Sequence, residues 1–367
     1  GRRQRQMCIR DSSNGLVGSE SVEFFIKKKF TVIGIDNDFR KFFFGKEAST
    51  EWVKISLEKK YDKNYKHFSK NITKINEIEK IFKKYKNKIK VVIHSAAQPS
   101  HDWAASNPQL DFNINAIGTL NILSLTKKYL DKKTPFIYMS TNKVYGDNPN
   151  KLKMMKNKLR FQLENNNNYI DGINETMSID NCVHSFFGVS KLSADLMVQE
   201  FGVNFGMNTV CFRAGCVTGS KHSGAKLHGF LSYLVKTCLK EKKYTVIGYE
   251  GKQVRDNIHS SDLVNCFWEY YKNPRKGAVY NIGGGKKCSC SILEAIRIIE
   301  KKTNIKVKLK ILKKARTGDH IWWITDNKKF IKDYPNFKIK YNVEKVIEEL
   351  ISKAVSYTHL RAHETRH

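Results

Sequence analysis

A chain of 367 residues with a formal net charge of +31 is long enough to bury a large core without a disulfide or metal staple. Hydrophobic residues make up 40% of it, and no apolar run approaches the roughly 18 residues that span a bilayer, so no membrane-spanning helix is expected. The charge invites a nucleic-acid reading, but it consists of 53 lysines and only 13 arginines in an Ile- and Asn-rich background. That is the signature of a lysine-rich solvated surface rather than of a polynucleotide footprint, and no nucleic-acid partner is expected.

The two ends share neither this bias nor a helical or strand period. Gly1 to Ser12 (GRRQRQMCIRDS) and about Val355 to His367 (VSYTHLRAHETRH) hold six of the thirteen arginines. Both resemble translated adapter sequence and are set aside from the fold. On that reading a chain that starts at residue 13 lacks the first, central strand of its sheet, is less stable for it, and carries an incomplete cofactor turn.

From Leu16 to Lys29 the apolar residues recur at helical spacing, and Phe30 to Ile35 reads as a strand that ends at Asp36. A helix is expected near Ile75 to Lys88, a strand over Lys90 to Ser95, a long helix over about Pro108 to Leu130, and a strand over Pro135 to Ser140. Phe187 to Phe205 reads as a helix and Asn208 to Arg213 as the next strand. Strands and helices alternating at these lengths predict an α/β fold with a doubly wound parallel sheet, a Rossmann domain over residues 13–220. Beyond about Lys221 the pattern loosens into short strands (Tyr244 to Ile247, Ala278 to Ile282) and helices (Phe230 to Leu239, Ser291 to Thr303), which suits a smaller α+β substrate lobe over residues 221–354. Gly146 to Ser185 is too long and polar for an ordinary connection and reads as a lid or insertion.

The first chemical motif is Gly15-Leu-Val-Gly18 at a helix start, with Asp36 twenty-one residues after Gly15. Glycines there let backbone N–H groups approach a pyrophosphate, and a carboxylate after the next strand can accept hydrogen bonds from a ribose. Asp36 favours NAD over NADP because its charge repels a 2'-phosphate. The eight cysteines show no metal-ligand spacing and most sit in apolar stretches, which points to free thiols in a reducing, cytoplasmic setting and to no metal site.

Ser140-Thr141-Asn142-Lys143-Val144-Tyr145-Gly146 after a strand, together with Phe186-Phe187-Gly188-Val189-Ser190-Lys191 at a helix start, resembles the extended short-chain dehydrogenase/reductases, the nucleotide-sugar epimerases and dehydratases. The likeness extends from Ser13 to about Lys353 and includes Ala96-Ala97-Gln98, Asn115 to Thr119, Gln253 to His259, Asn281 to Gly284 and Arg316-Thr-Gly318-Asp319. It is strongest to the CDP-paratose (CDP-tyvelose) 2-epimerases. The resemblance implies an NAD-dependent epimerisation of a nucleotide sugar, with a CDP-sugar as the expected substrate and a homo-oligomer built through the helix of Phe187 to Phe205. It implies NAD contacts from Gly15, Gly18, Asp36, Asn37, Ala96, Ala97, Gln98, Asn115, Lys191 and Ala214, and substrate contacts from Asn142, Arg255, His259, Arg316 and Asp319. Thr141 and Lys191 fall at catalytic positions. Seven arginines lie between the two end strings, and in so lysine-biased a chain Arg255 and Arg316 suggest a bidentate grip on a diphosphate.

One departure concerns the chemistry itself. Where the family places a tyrosine base four residues before Lys191, this chain has Phe187, which has no proton to exchange. His101 and His184 are candidate replacements. Three readings stay open: a 2-epimerase, another nucleotide-sugar 4-epimerase or 4,6-dehydratase, and a catalytically impaired NAD-, nucleotide- or RNA-binding protein.

Overall fold

The computed structural model describes residues 6–221, 229–315 and 318–364. Its centre is a seven-stranded sheet, every pair parallel, formed by β1 (Met7–Asp11), β2 (Thr31–Ile35), β3 (Tyr65–Phe68), β4 (Ile89–His94), β5 (Phe136–Thr141), β8 (Thr209–Ala214) and β12 (Ala278–Ile282) in the order β12-β8-β5-β4-β1-β2-β3. Period-two alternation divides these strands between two cores. Cys8, Val32, Val91, Ile93, Ile137 and Val210 face the helices Leu16–Lys27 and Ser260–Lys272. Ile9, Ile33, Val92, Phe136, Tyr138 and Cys211 face the helices Ile75–Tyr85, Gly118–Tyr129 and Ser185–Phe205. A sheet covered on both faces is the predicted doubly wound architecture.

Three expectations change. The central strand is present: Met7–Asp11 lies between β4 and β2, with all five residues buried, so the sheet is not short of its first strand. At the other end the helix that begins at Val343 runs on to Glu364, through residues set aside as foreign. Ala278–Ile282, assigned from sequence to the smaller lobe, closes the edge of the central sheet against β8. The stretch Pro108 to Leu130 is helical as expected, but with a wider π turn over Asn113–Ile117.

The remaining strands are short. β6 (Met154–Lys156) and β7 (Phe161–Leu163) form a hairpin inside the long 146–185 connection. β9 (Cys216–Thr218), β11 (Val254–His259), β13 (Ser289–Ser291) and β15 (Trp322–Trp323) make a small mixed sheet, and β10 (Lys243–Ile247) pairs with β14 (Lys308–Leu312). Trp323 and Tyr145 stack at 5.7 Å and join the connection to this region. No helix among the described residues is long and apolar enough to cross a membrane.

The central strand carries one costly residue. Arg10 is fully buried; its Nη1 donates to the Ile93 carbonyl at 3.4 Å, while Nε and Nη2 have no partner. Burial pushes its pKa down to about 10 against the pull of Asp11. A buried donor left without a partner costs about 1–3 kcal/mol, a cost that an apolar strand-forming residue at this position would not carry. Arg10→Val is therefore expected to raise the urea midpoint with an unchanged slope, by roughly 1–3 kcal/mol; a lower midpoint would show that the guanidinium stabilises the fold as a counter-charge to the buried Asp11 carboxylate.

Candidate active site

The chain leaves β1, turns at Ser12 to Gly15, and enters the helix Leu16–Lys27. That turn is packed so tightly that a Cβ on Gly18 would lie 1.9 Å from the Ser12 carbonyl oxygen. Only glycine fits there, and the helix N-terminus is brought directly over the end of β1. Ser12 holds the left-handed conformation at φ 48°, a strained position for a residue with a Cβ.

At the end of β1, the Asp11 carboxylate is buried and accepts hydrogen bonds from the backbone N–H groups of Ser95 (2.6 Å) and Ala96 (2.8 Å), and also bonds His94. Burial alone would raise its pKa; His94, with Arg10, holds it below the usual carboxylate range. The far ring nitrogen of His94 meets Thr119 Oγ1 at 2.8 Å. This network fixes the loop after β4 beside the glycine turn.

Asp36 follows β2. Its Oδ2 accepts from the Asn14 N–H at 3.0 Å and its Oδ1 from the Asp38 N–H at 2.8 Å, and burial pushes its pKa up to about 6. Asp36 and Asn37 line a small cavity of about 50 Å³ with Ala96, Ala97 and Arg40. Arg40, given no role from sequence, also lines the main cleft.

That main cleft has a volume of about 660 Å³. Its lining includes Ser12, Gly15 and Gly18 of the glycine turn, Thr141, Asn142, Lys143 and Phe187, and Arg255 and Asp319. Thr141 Oγ1 accepts the Lys143 N–H at 3.3 Å and caps the turn, while the neighbouring Ser140 hydroxyl is committed to buried Asp195. Arg255 Nη2 donates to Asp319 Oδ1 at 2.6 Å. Burial would raise the Asp319 pKa, but Arg255 and Lys143 bring it below the ordinary value.

Phe187, four residues before Lys191, has the His101 ring edge-on at 4.8 Å. His101 Nδ1 and Ser185 Oγ are 3.0 Å apart, and His101 lines the cleft. Lys191 is buried; its Nζ donates to the Met139 carbonyl at 2.8 Å and lies 4.3 Å from the Tyr138 ring centroid. Burial lowers its pKa to about 8, against the opposing pull of Asp195.

Several predicted residues are placed elsewhere. Gln98 and Asn115 are fully buried and bond each other, Asp111 and Ser190, so they tie the loop after β4 to the helix Ser185–Phe205 rather than line the cleft. His184 bonds the Ile179 carbonyl within its own turn. His259 caps the helix Ser260–Lys272, stacks on Tyr341 at 3.8 Å and meets Glu349 at 3.2 Å. Ala214 is buried, with Gly215 and Cys216 after it reaching the cleft. Arg316 lies outside the described residues.

Residues 13–283 match the NAD dependent epimerase/dehydratase family. The chain belongs to that family. It is 29% identical to the CDP-paratose 2-epimerase of Salmonella typhi over 344 residues, covering 91% of this chain and 96% of that protein. It is 31% identical to the dTDP-D-glucose 4,6-dehydratase of Dictyostelium discoideum over 220 residues, covering 60% of this chain and 46% of that protein. Its fold matches the crystal structure of the UDP-glucuronic acid 4-epimerase of Bacillus cereus in complex with UDP-glucuronic acid and NAD, with a TM-score of 0.77, 20% identity, and coverage of 96% of this chain and 100% of that one. NAD is the cofactor of the family, and the residues present fit it: the Gly18 contact leaves a bare backbone cradle at the helix start, and the Asp36 carboxylate stands at the end of the adjacent strand.

Two outcomes test this end of the cleft. Ser12→Gly removes a left-handed Cβ worth about 1 kcal/mol, partly offset by the entropy of the unfolded glycine. The variant is expected to unfold at a higher urea concentration and to bind NAD at least as tightly by calorimetry. If Asp36 takes the ribose hydroxyls, its anion is the stronger acceptor, and NAD affinity should fall as pH drops through about 6. Asp36→Ala should lose about tenfold at pH 7.5 and lack that step.

Proposed function

We propose that this chain epimerises a nucleotide-activated sugar, with a CDP-sugar of the CDP-paratose type as substrate and C2 as the inverted carbon. The carrying observation is that one cleft joins the glycine turn, the Thr141 and Phe187 positions, and the Arg255–Asp319 pair. A dinucleotide laid over the helix start would place its reactive end near Thr141, and a nucleotide diphosphate reaching Arg255 would bring its sugar to the same place. The relative from Salmonella typhi, matched over nearly its whole length, supports the CDP-sugar assignment.

NAD, when bound, supplies the reversible two-electron acceptor, so the reaction has no net redox change. The protein's part is positional and electrostatic. The glycine turn and helix N-terminus hold the pyrophosphate, and Asp36 holds the ribose. Thr141 orients the reacting hydroxyl. Lys191, anchored on the Met139 carbonyl, sets a positive potential behind it. Arg255 grips the diphosphate, with Asp319 keeping its fork in place.

Phe187 supports a second reading, in which the chain binds NAD and a sugar nucleotide without turning the sugar over. Incubation with CDP-paratose and NAD, followed by NMR of the sugar, separates the two. The C2 epimer is expected, and Phe187→Tyr should raise kcat by about a hundredfold if the missing phenol limits the rate. Tight binding of both ligands with no epimer would establish the second reading.

A further inference from the structure

We propose that Lys143 is the proton acceptor for the substrate hydroxyl in this chain, in place of the tyrosine whose position Phe187 occupies; this rests on the epimerase reading above. Lys143 was quoted in the sequence signature without a role, as one lysine among 53. It is half-buried, and it lines the same cleft as Thr141 and Phe187. Its Nζ donates to the Gly318 carbonyl at 2.8 Å. A Cβ on Gly318 would lie 3.1 Å from the His101 ring nitrogen, and that ring is edge-on to Phe187. On the other side, a Cβ on Gly188, one residue past Phe187, would lie 3.1 Å from the Lys143 carbonyl oxygen. Lys143 is thus linked to Phe187 through Gly318 and His101, and all four line one cleft with Thr141.

The surroundings suit a base. The hydrogen-bond acceptor of the amine is a neutral carbonyl, not a carboxylate. The charged and titratable groups acting on it among the described residues are Asp319 and Cys216, which favour the ammonium, and Arg255, which opposes it, with His101 and His320 beside them. Burial outweighs these and lowers its pKa to about 8. At pH 7 roughly one molecule in ten then carries the neutral amine, against about one in 2,500 for an ordinary lysine. Thr141 Oγ1, which accepts the Lys143 N–H, sets the hydroxyl-orienting and proton-accepting groups two residues apart on one capped turn.

The step balances. The neutral amine takes the hydroxyl proton and becomes ammonium; the C–O bond becomes C=O as the carbon's hydrogen and its electron pair pass to the nicotinamide. On return to the opposite face of the carbon, the ammonium gives the proton back to the oxygen and the amine is regenerated.

The first measurement needs no turnover. Trace acylation of the ligand-free protein across pH, read by peptide mass spectrometry, should show Lys143 reaching half its maximal reactivity near pH 8. Ordinary lysines should do so above pH 10. The second is kinetic. Wild type should show an acid limb in kcat near pH 8, and Lys143→Met and Lys143→Arg should lower kcat by at least a hundredfold while NAD and CDP dissociation constants stay within about threefold. Adding Phe187→Tyr to Lys143→Met should restore turnover and remove that limb. Ordinary titration of Lys143, full kcat in Lys143→Met, or loss confined to nucleotide affinity would overturn the assignment and leave the epimerase reading standing. Loss of the limb in His101→Gln but not in Lys143→Met would give the role to His101. No turnover by wild type with both ligands bound would overturn both readings.

Discussion

The site depends on a single buried carboxylate. In this sheet the chain moves outward from β1 to β2 and β3, then crosses back to β4 on the other side of β1, and the crevice at that reversal is where open α/β sheets take their ligands. Asp11 stands at the reversal. By accepting two N–H groups from the loop after β4 and bonding His94, it fixes the distance between the two crevice walls. A carboxylate withdrawn from water is costly unless fully hydrogen-bonded; here the bonds that satisfy it also shape the floor of the cleft. Through His94 and Thr119 the same network reaches the helix Gly118–Tyr129.

Much of this was legible in the sequence wherever local pattern and packing agree. The Gly15–Gly18 turn, Asp36 and the strands before Asp36, His94 and Thr141 follow from periodicity and from the needs of a phosphate at a helix start. What could not be read has physical reasons. Met7–Asp11 lies in an end string that resembles adapter sequence, and its last two residues are an arginine and an aspartate, a charge pattern unlike that of a central strand; the structure buries both nonetheless. Ala278–Ile282 has the same local signal in an outer lobe as at a sheet edge, and only the register against β8 decides. Gln98, Asn115 and His259 are polar residues in family motifs whose partners are other protein groups, which spacing cannot reveal. Lys143 was hidden by the abundance of its own type.

Two of the sparse arginines show contrasting uses. Arg255 faces the cleft. Arg213 does not: its Nη2 and Nε bridge both oxygens of Asp195 at 2.8 and 3.1 Å, and its Nη1 donates to the Tyr145 hydroxyl at 2.9 Å. Tyr145 in turn donates to Asn281. This buried fork links β8, the helix Ser185–Phe205, the turn after β5 and β12, and a lysine could not satisfy both carboxylate oxygens in that plane. At Arg213 the planar guanidinium meets a demand of the fold rather than of a ligand.

That β12 closes the edge of the sheet has a bearing on how the chain comes into being. During synthesis from the amino terminus, β8 must wait some sixty residues of further elongation, through the helix Phe230–Glu241 and the helix Ser260–Lys272, before its outer partner leaves the ribosome. Until then one row of its backbone N–H and C=O groups lies open, a template for pairing with another nascent chain. The vulnerable interval in this protein's life is set by where the edge strand falls in the gene, and shortening that loop would shorten the exposure.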